Sequence, residues 1–386
     1  MPLNHSQPYS TSLQNDVSAK RERRGMLGRR QFLQTIGAAL SGLTLSSCGW
    51  TLGKVKTAPR LSPNKIFIYT WAYYTDDDLL DSFAEETGLE VVVKVFDSNE
   101  AMLTALEAGQ GASYSIIYPS DYVVQRMIEL DLLAELDHQR IPGLNDLFPE
   151  FEDPQYDPGN SHSVPFSWGT TGLVYNTKVL SPPPEDWDYL WTHQQKLAKK
   201  VTLLDDSREV IGAVLRMLGY SYNSTNPAEI KAAYEKLEAL KPSLAAFTTD
   251  AWRDQILAGD LLVAMCYSSD AVEVINENPD LQYIVPLSGS SLWADTLVIP
   301  KAAPNPDAGY AWINFMLQSN VASQVSERLS FATPVRSAFF ELPAEIREDP
   351  ALFPSQEVRS RCEGIQALDE ATEELFESYW EQLAST

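Results

Sequence analysis

The chain has 386 residues, 44% of them hydrophobic and 21% charged, a composition that suits two globular domains of ordinary size. Its 29 Lys and Arg stand against 53 Asp and Glu, and the resulting net charge of −24 makes nucleic acid a poor partner, because phosphate contacts need clustered cations. The three cysteines, Cys48, Cys266 and Cys362, form neither CxxC nor a Cys/His cluster, so no metal site and no cofactor are expected.

The first 28 residues are polar, with a basic run at Lys20, Arg21, Arg23 and Arg24. GRRQFLQ (28–34) follows and resembles a twin-arginine export signal. The next stretch, Ile36–Leu45, is only lightly apolar and far short of the roughly 20 residues that span a bilayer. It ends in Leu45-Ser46-Ser47-Cys48-Gly49, which resembles a lipobox, the signal whose cysteine is acylated and becomes the new N-terminus. Residues 1–47 are therefore expected to be an address outside the fold, and 48–63, with no periodicity, a tether.

From Lys65 strands and helices alternate. Ile66–Thr70 reads as a strand, Asp76–Thr87 as a helix closed by Gly88, Glu90–Val95 as a strand, Asn99–Ala108 as a helix, Tyr114–Tyr118 as a strand and Asp121–Leu130 as a helix. Residues 141–161, rich in Pro and Asp, break the pattern. A second set then opens: strand Thr170–Asn176, strand Val201–Leu204 and helix Arg208–Leu218. A capping box at Asn226-Pro227-Ala228-Glu229 opens a helix to Leu240, followed by helix Ala251–Ala258 and strand Leu261–Cys266. Strand Trp293–Pro300, helices Ala308–Leu317 and Val321–Leu329, and a terminal helix over Glu363–Ala384 complete the series. Two such α/β sets, built of parallel βαβ units, predict two lobes with a cleft between them.

Ligands of open parallel sheets sit beyond the carboxyl ends of strands. Trp71 and Tyr74 follow the first strand here, and Ser120, Asp121 and Tyr122 the third. Asp206, Arg208 and Glu209 come after Leu204, Tyr267 after Cys266, and Trp293 and Asp295 open a later strand. Aromatic faces suit methylenes and attract cations, and a desolvated ammonium needs a carboxylate. The competing reading is that the aromatics fill the core and that Asp206 only caps the helix after it, with Arg208 pairing one of the two acids.

The mature chain, nearly all of 64–386, resembles the spermidine/putrescine-binding proteins of bacterial ABC importers. The matching stretches are Trp71-x-x-Tyr74, DSNEAM (97–102), YPSDYVVQRM (118–127), VPFSWGTTGLVYN (164–176), LLDDSREV (203–210), LGYSYNSTNPAEI (218–230), LWADTLVIP (292–300) and FATPV (331–335). The resemblance implies that Asp206 and Glu209 hold one amine and Asp295 another. Trp71, Tyr74, Tyr122 and Trp293 then form an aromatic box, and Ser120 is a polar contact. Tyr267 stands where a tryptophan is usual, Phe331 where a tyrosine is, and Glu381 where a glutamine amide is expected. Ala72-Tyr73 replaces the usual Thr-Glu, and Asp121 adds an acid.

The expected fold is a two-lobed α/β binding protein of the class II periplasmic type, with 64–168 plus 295–338 as lobe 1 and 169–294 plus 339–386 as lobe 2. Hinges are expected near 165–171, 293–297 and 334–340, with closure around the ligand and docking on a membrane permease. A monomer tethered to the membrane through Cys48 is expected. Other readings are a binder of another cationic amine, an amino acid or, from the Tyr73–Tyr74 pair, ferric ion, and a hydrolase using paired carboxylates. The sequence carries no GxSxG, P-loop or GxGxxG, and His138, His162 and His193 read as surface or loop residues.

Overall fold

The structure, a computed structural model, describes residues 64–385. The expected export signal and tether, Cys48 included, lie outside the described residues. Nine strands form one sheet in the order β2-β1-β3-β9-β4-β7-β5-β6, with β8 paired to β4 off that path. They are β1 Lys65–Thr70, β2 Glu90–Val95, β3 Ile116–Ile117, β4 Ser163–Asn176, β5 Val201–Leu203, β6 Leu244–Phe247, β7 Val263–Tyr267, β8 Leu281–Ile284 and β9 Leu292–Val298.

The parallel expectation holds at the two ends and fails in the middle. β1 pairs parallel with β2 and β3, and β5 pairs parallel with β6 and β7. Between them β9 runs antiparallel to both β3 and β4, and β4 antiparallel to β7 and β8. The long strand β4 is buried at every position but its last. Its first half pairs with β9 and its second half with β7 and β8.

Strand β4 starts at Ser163, well before the expected Thr170. Pro165 obscured it, since proline breaks a ladder; the register shifts between Pro165 and Ser167, and a bulge is where a strand tolerates proline. The terminal helix is shorter than expected, Glu370–Ala384. Glu363 is instead bridged to Ser291, and Asp369 caps the helix by accepting from Thr372 N (3.0 Å). Sequence periodicity also missed β6, β8 and helix Ser268–Glu277. The capping box is altered: Asn226 Oδ1 accepts from Ala228 N (3.0 Å), while Glu229 takes the Asn226 amide (3.1 Å) and the Ser224 hydroxyl (2.5 Å).

Two large apolar clusters flank the central strands. One gathers Ile66, Phe83, Ile116, Trp312, Val325 and Ala338; the other gathers Leu204, Leu215, Leu237, Leu240, Phe376 and Leu383. The segment after 338 touches both sides, since Phe339 packs on Phe148 and Phe353 while Leu352 packs on Val272. Helix Asp77–Thr87 shows how local chemistry sets the boundaries: the Asp76 carboxylate accepts from Leu79 N (2.8 Å), and Gly88 takes φ 71 to close it. Cys266 and Cys362 are both free thiols, so the disulfide that an oxidising compartment would permit is not formed.

Candidate functional site

The strand ends converge as the topology requires. Tyr74 follows β1, Ser120 and Asp121 follow β3, and β9, the next strand beside β3, carries Trp293 and Asp295. Ser120 stands at the start of helix Asp121–Glu129 but makes no side-chain cap; its hydroxyl donates to Asp295 Oδ1 (2.8 Å). The Tyr74 hydroxyl donates to Asp295 Oδ2. Asp295 is 4% exposed, and burial pushes its carboxyl up to about 6 against the pull of these two donors.

Asp121 lies beside it. Its carboxylate accepts from its neighbour Tyr122 N (2.8 Å) and, across to β9, from Ala294 N (3.1 Å). Burial raises it well above the usual carboxylate range, and the charges of Asp295 and Glu209 add to the rise.

A second pair stands after β5. Asp206 caps helix Ser207–Met217 by accepting from Arg208 N (2.9 Å) and Glu209 N (3.0 Å), so the capping role is real. Both bonds use one oxygen, Oδ1. Burial pushes Asp206 up to about 6. Glu209 is 2% exposed and accepts from Tyr222 Oη (2.7 Å) and Ser291 Oγ (2.8 Å). Burial, then the charge of Asp206, pushes it up to about 7.

Arg208 forms no ion pair with either acid among the described residues. Its guanidinium donates to Gln366 O (2.9 Å) and Asn223 Oδ1 (3.3 Å) and lies 6.0 Å from the Tyr122 ring. None of the ion pairs among the described residues reaches Asp121, Asp206, Glu209 or Asp295. Hydroxyls and backbone N–H groups make the hydrogen bonds to these acids; Asp121, Glu209 and Asp295 are buried and Asp206 is half-buried.

Aromatic rings surround them. Tyr74 packs 4.6 Å from Phe331, and Trp71 meets Phe96 edge-on at 4.4 Å. Tyr267 and Trp293 stand nearly perpendicular, 5.7 Å apart. A Cβ at Gly169 would run into the Trp293 ring and Ser268 Oγ, so glycine lets that ring lie against β4. The Tyr122 hydroxyl accepts from Asn99 Nδ2 (2.9 Å).

Of the expected site residues, Trp71, Tyr74, Ser120, Tyr122, Asp206, Glu209, Tyr267, Trp293, Asp295 and Phe331 lie at these converging ends. Glu381 does not: it is an exposed position on the terminal helix. A glutamine that does reach the neighbourhood of Asp206 is Gln366: its carbonyl accepts from Arg208 (2.9 Å), its Nε2 donates to Gln155 Oε1 (3.2 Å) and its N–H donates to Asn223 Oδ1 (2.8 Å). Sequence reasoning also missed Tyr222 and Ser291, which bind Glu209; a hydroxyl that serves a carboxylate 13 or 82 residues away leaves no local signal. Tyr73, 76% exposed at φ 63, is split from the inward-facing Tyr74, which removes the paired tyrosinates of the ferric reading. No group of His, Cys, Asp and Glu among the described residues is placed to hold a metal.

Comparison with known proteins follows this geometry. A family model of bacterial extracellular solute-binding proteins matches residues 78–354. The chain belongs to that family. It is 33% identical to spermidine/putrescine-binding periplasmic protein 1 of Haemophilus influenzae, over 92% of this chain and 99% of that one. It is 32% identical to the spermidine/putrescine-binding periplasmic protein of Escherichia coli K12, over 83% and 91%. A putative spermidine/putrescine ABC transporter structure from Listeria monocytogenes superposes with a TM-score of 0.79 at 37% identity, covering 83% of this chain and 98% of that one. The fold is thus the two-lobed α/β architecture of periplasmic binding proteins. The family is one of solute-binding proteins and not of enzymes. No helix among the described residues is long and apolar enough to cross a membrane.

Proposed function

We propose that this solute-binding protein captures a polyamine, spermidine or putrescine, and delivers it to the permease of an ABC importer. The observation that carries the reading is the set of three buried acids, Asp121, Glu209 and Asp295, with the half-buried Asp206 beside Glu209, none of them in an ion pair among the described residues. Buried carboxylates need a positive partner, and a protonated amine supplies one at each end of a methylene chain. Trp71, Tyr74, Tyr122, Tyr267, Trp293 and Phe331 supply the apolar and cation-attracting walls. The relatives from H. influenzae and E. coli, both spermidine/putrescine-binding proteins, support the same ligand class.

Lobe 1 is assigned to 64–168 with 295–338 and lobe 2 to 169–294 with 339–386, closing about hinges at 165–171, 293–297 and 334–340. The bulge at Phe166 in the β4–β9 pair supports the first of these, because a bulge loosens a ladder locally. Twin-arginine export through Arg29 and Arg30 and acylation of Cys48 would hold the monomer at the membrane beside its permease. Calorimetric titration with spermidine, putrescine, amino acids and ferric ion is the test. Heat with either polyamine and none with the others is expected; silence with both polyamines refutes the assignment. Palmitate labelling that survives Cys48→Ser refutes the anchor.

A further inference from the structure

The stretch that breaks the sequence pattern between the two α/β sets carries a side chain that the site described above does not use. Residues 151–163 are fastened by their own polar groups. The buried Asp157 carboxylate accepts from His162 N (2.9 Å), Ser163 N (2.7 Å) and Ser163 Oγ (2.7 Å). The Asn160 amide donates to Phe151 O (2.9 Å) and Glu152 O (3.2 Å), across a turn in which Gly159 and Asn160 both take positive φ. A loop stapled in this way presents its side chains rigidly.

Its tip is Gln155-Tyr156. Gln155 accepts from Gln366 Nε2 (3.2 Å), joining the loop to the segment that also binds Arg208 and Asn223. Tyr156 packs into the same cluster as Trp71 and Tyr122. Its hydroxyl is shut from solvent and has no hydrogen-bond partner. Burial first, then the charges of Asp121, Asp157 and Asp295, hold the phenol well above its ordinary range, so it stays protonated. Trp71 and Trp293 also leave an indole N–H unpartnered, but an indole only donates and cannot receive an ammonium. A phenol oxygen can accept from one.

We propose that Tyr156 is a further ligand-contacting residue of this solute-binding protein, its hydroxyl oxygen accepting a hydrogen bond from the ammonium held by Asp121 and Asp295. The proposal rests on the polyamine reading and adds a neutral acceptor to that end of the site. An unpartnered buried hydroxyl costs stability, and contact with the ligand relieves that cost.

Tyr156→Phe removes a single oxygen and keeps the ring. Titration of the purified parent and variant with spermidine and putrescine, and thermal midpoints without polyamine, form the test. Affinity is expected to fall about tenfold, the usual effect of one hydrogen bond to a charged group. The midpoint is expected to stay level or rise. Affinity within about twofold of the parent overturns the contact while leaving the polyamine reading intact. A midpoint that falls together with affinity overturns it too, because the hydroxyl would then be serving the fold. A parent that binds neither polyamine defeats the underlying reading instead.

Discussion

The two acidic ends of the site are built by different means. Asp121 and Asp295 stand where β3, β4 and β9 meet, and each depends on groups distant in sequence: Ala294 N for Asp121, Tyr74 and Ser120 for Asp295. Asp206 and Glu209 sit at the start of one helix, three residues apart, where the helix dipole favours negative charge. At that end the fold itself uses one acid, because Asp206 caps the helix. Asp295 caps nothing. A buried carboxylate held only by two hydroxyls is a burden to the fold, whereas one that also caps a helix contributes to it, so the two ends should answer mutation differently.

The largest effect should come from the strand end. Asp295→Asn keeps the shape and removes the charge, and titration should show polyamine affinity lost by more than about 2 kcal/mol while thermal stability holds or rises. Unchanged affinity would return Asp295 to a structural role.

The pH response ranks next and belongs to both ends. Burial raises Asp206 and Asp295 to about 6 and Glu209 to about 7, above the ordinary carboxylate value near 4. The folded chain therefore binds more protons than the unfolded chain between these limits. These groups favour folding at low pH, and their contribution is lost as pH rises through about 4 to 7. An ammonium favours the ionised acids, so affinity should move the opposite way and rise from about pH 5 to pH 8. Calorimetry in buffers of different ionisation enthalpy should register protons released on binding; parallel slopes for stability and affinity would break the account.

The smallest effect separates the two duties of Asp206. Asp206→Ala should lower unfolding free energy by about 1 kcal/mol through loss of the cap, and Asp206→Asn should largely restore it, since asparagine caps as well. Both variants should weaken polyamine binding. Stability that falls equally in the two would mean that the charge, not the cap, stabilises the helix.

Much of the site was legible because it repeats a local rule. Aromatics and acids recur just past strands, and Asp206 and Glu209 share one helix start, so position along the chain marked them. Asp121 was visible as an added acid, yet its pairing with Ala294 N is a contact 173 residues long. Glu381 lies inside the last helix, Glu370–Ala384, at an exposed position, and which face of that helix turns to the rest of the chain is set by packing rather than by the local sequence. Tyr156 fell in a segment with no periodicity, where pattern gives no orientation.

By itself the sequence determined the α/β class, most element boundaries within a few residues and the acid–aromatic character of the strand ends. These follow from capping residues, apolar periodicity and composition, which act over one helical turn or one strand. Only the tertiary structure decided that β4 and β9 run antiparallel through the middle, that Arg208 turns to Gln366 instead of the acids, and that Asp121, Glu209 and Asp295 are buried without an ion pair. Such facts depend on which distant segments meet, and burial converts that meeting into pKa and binding energy in a way that no local stretch of chain encodes.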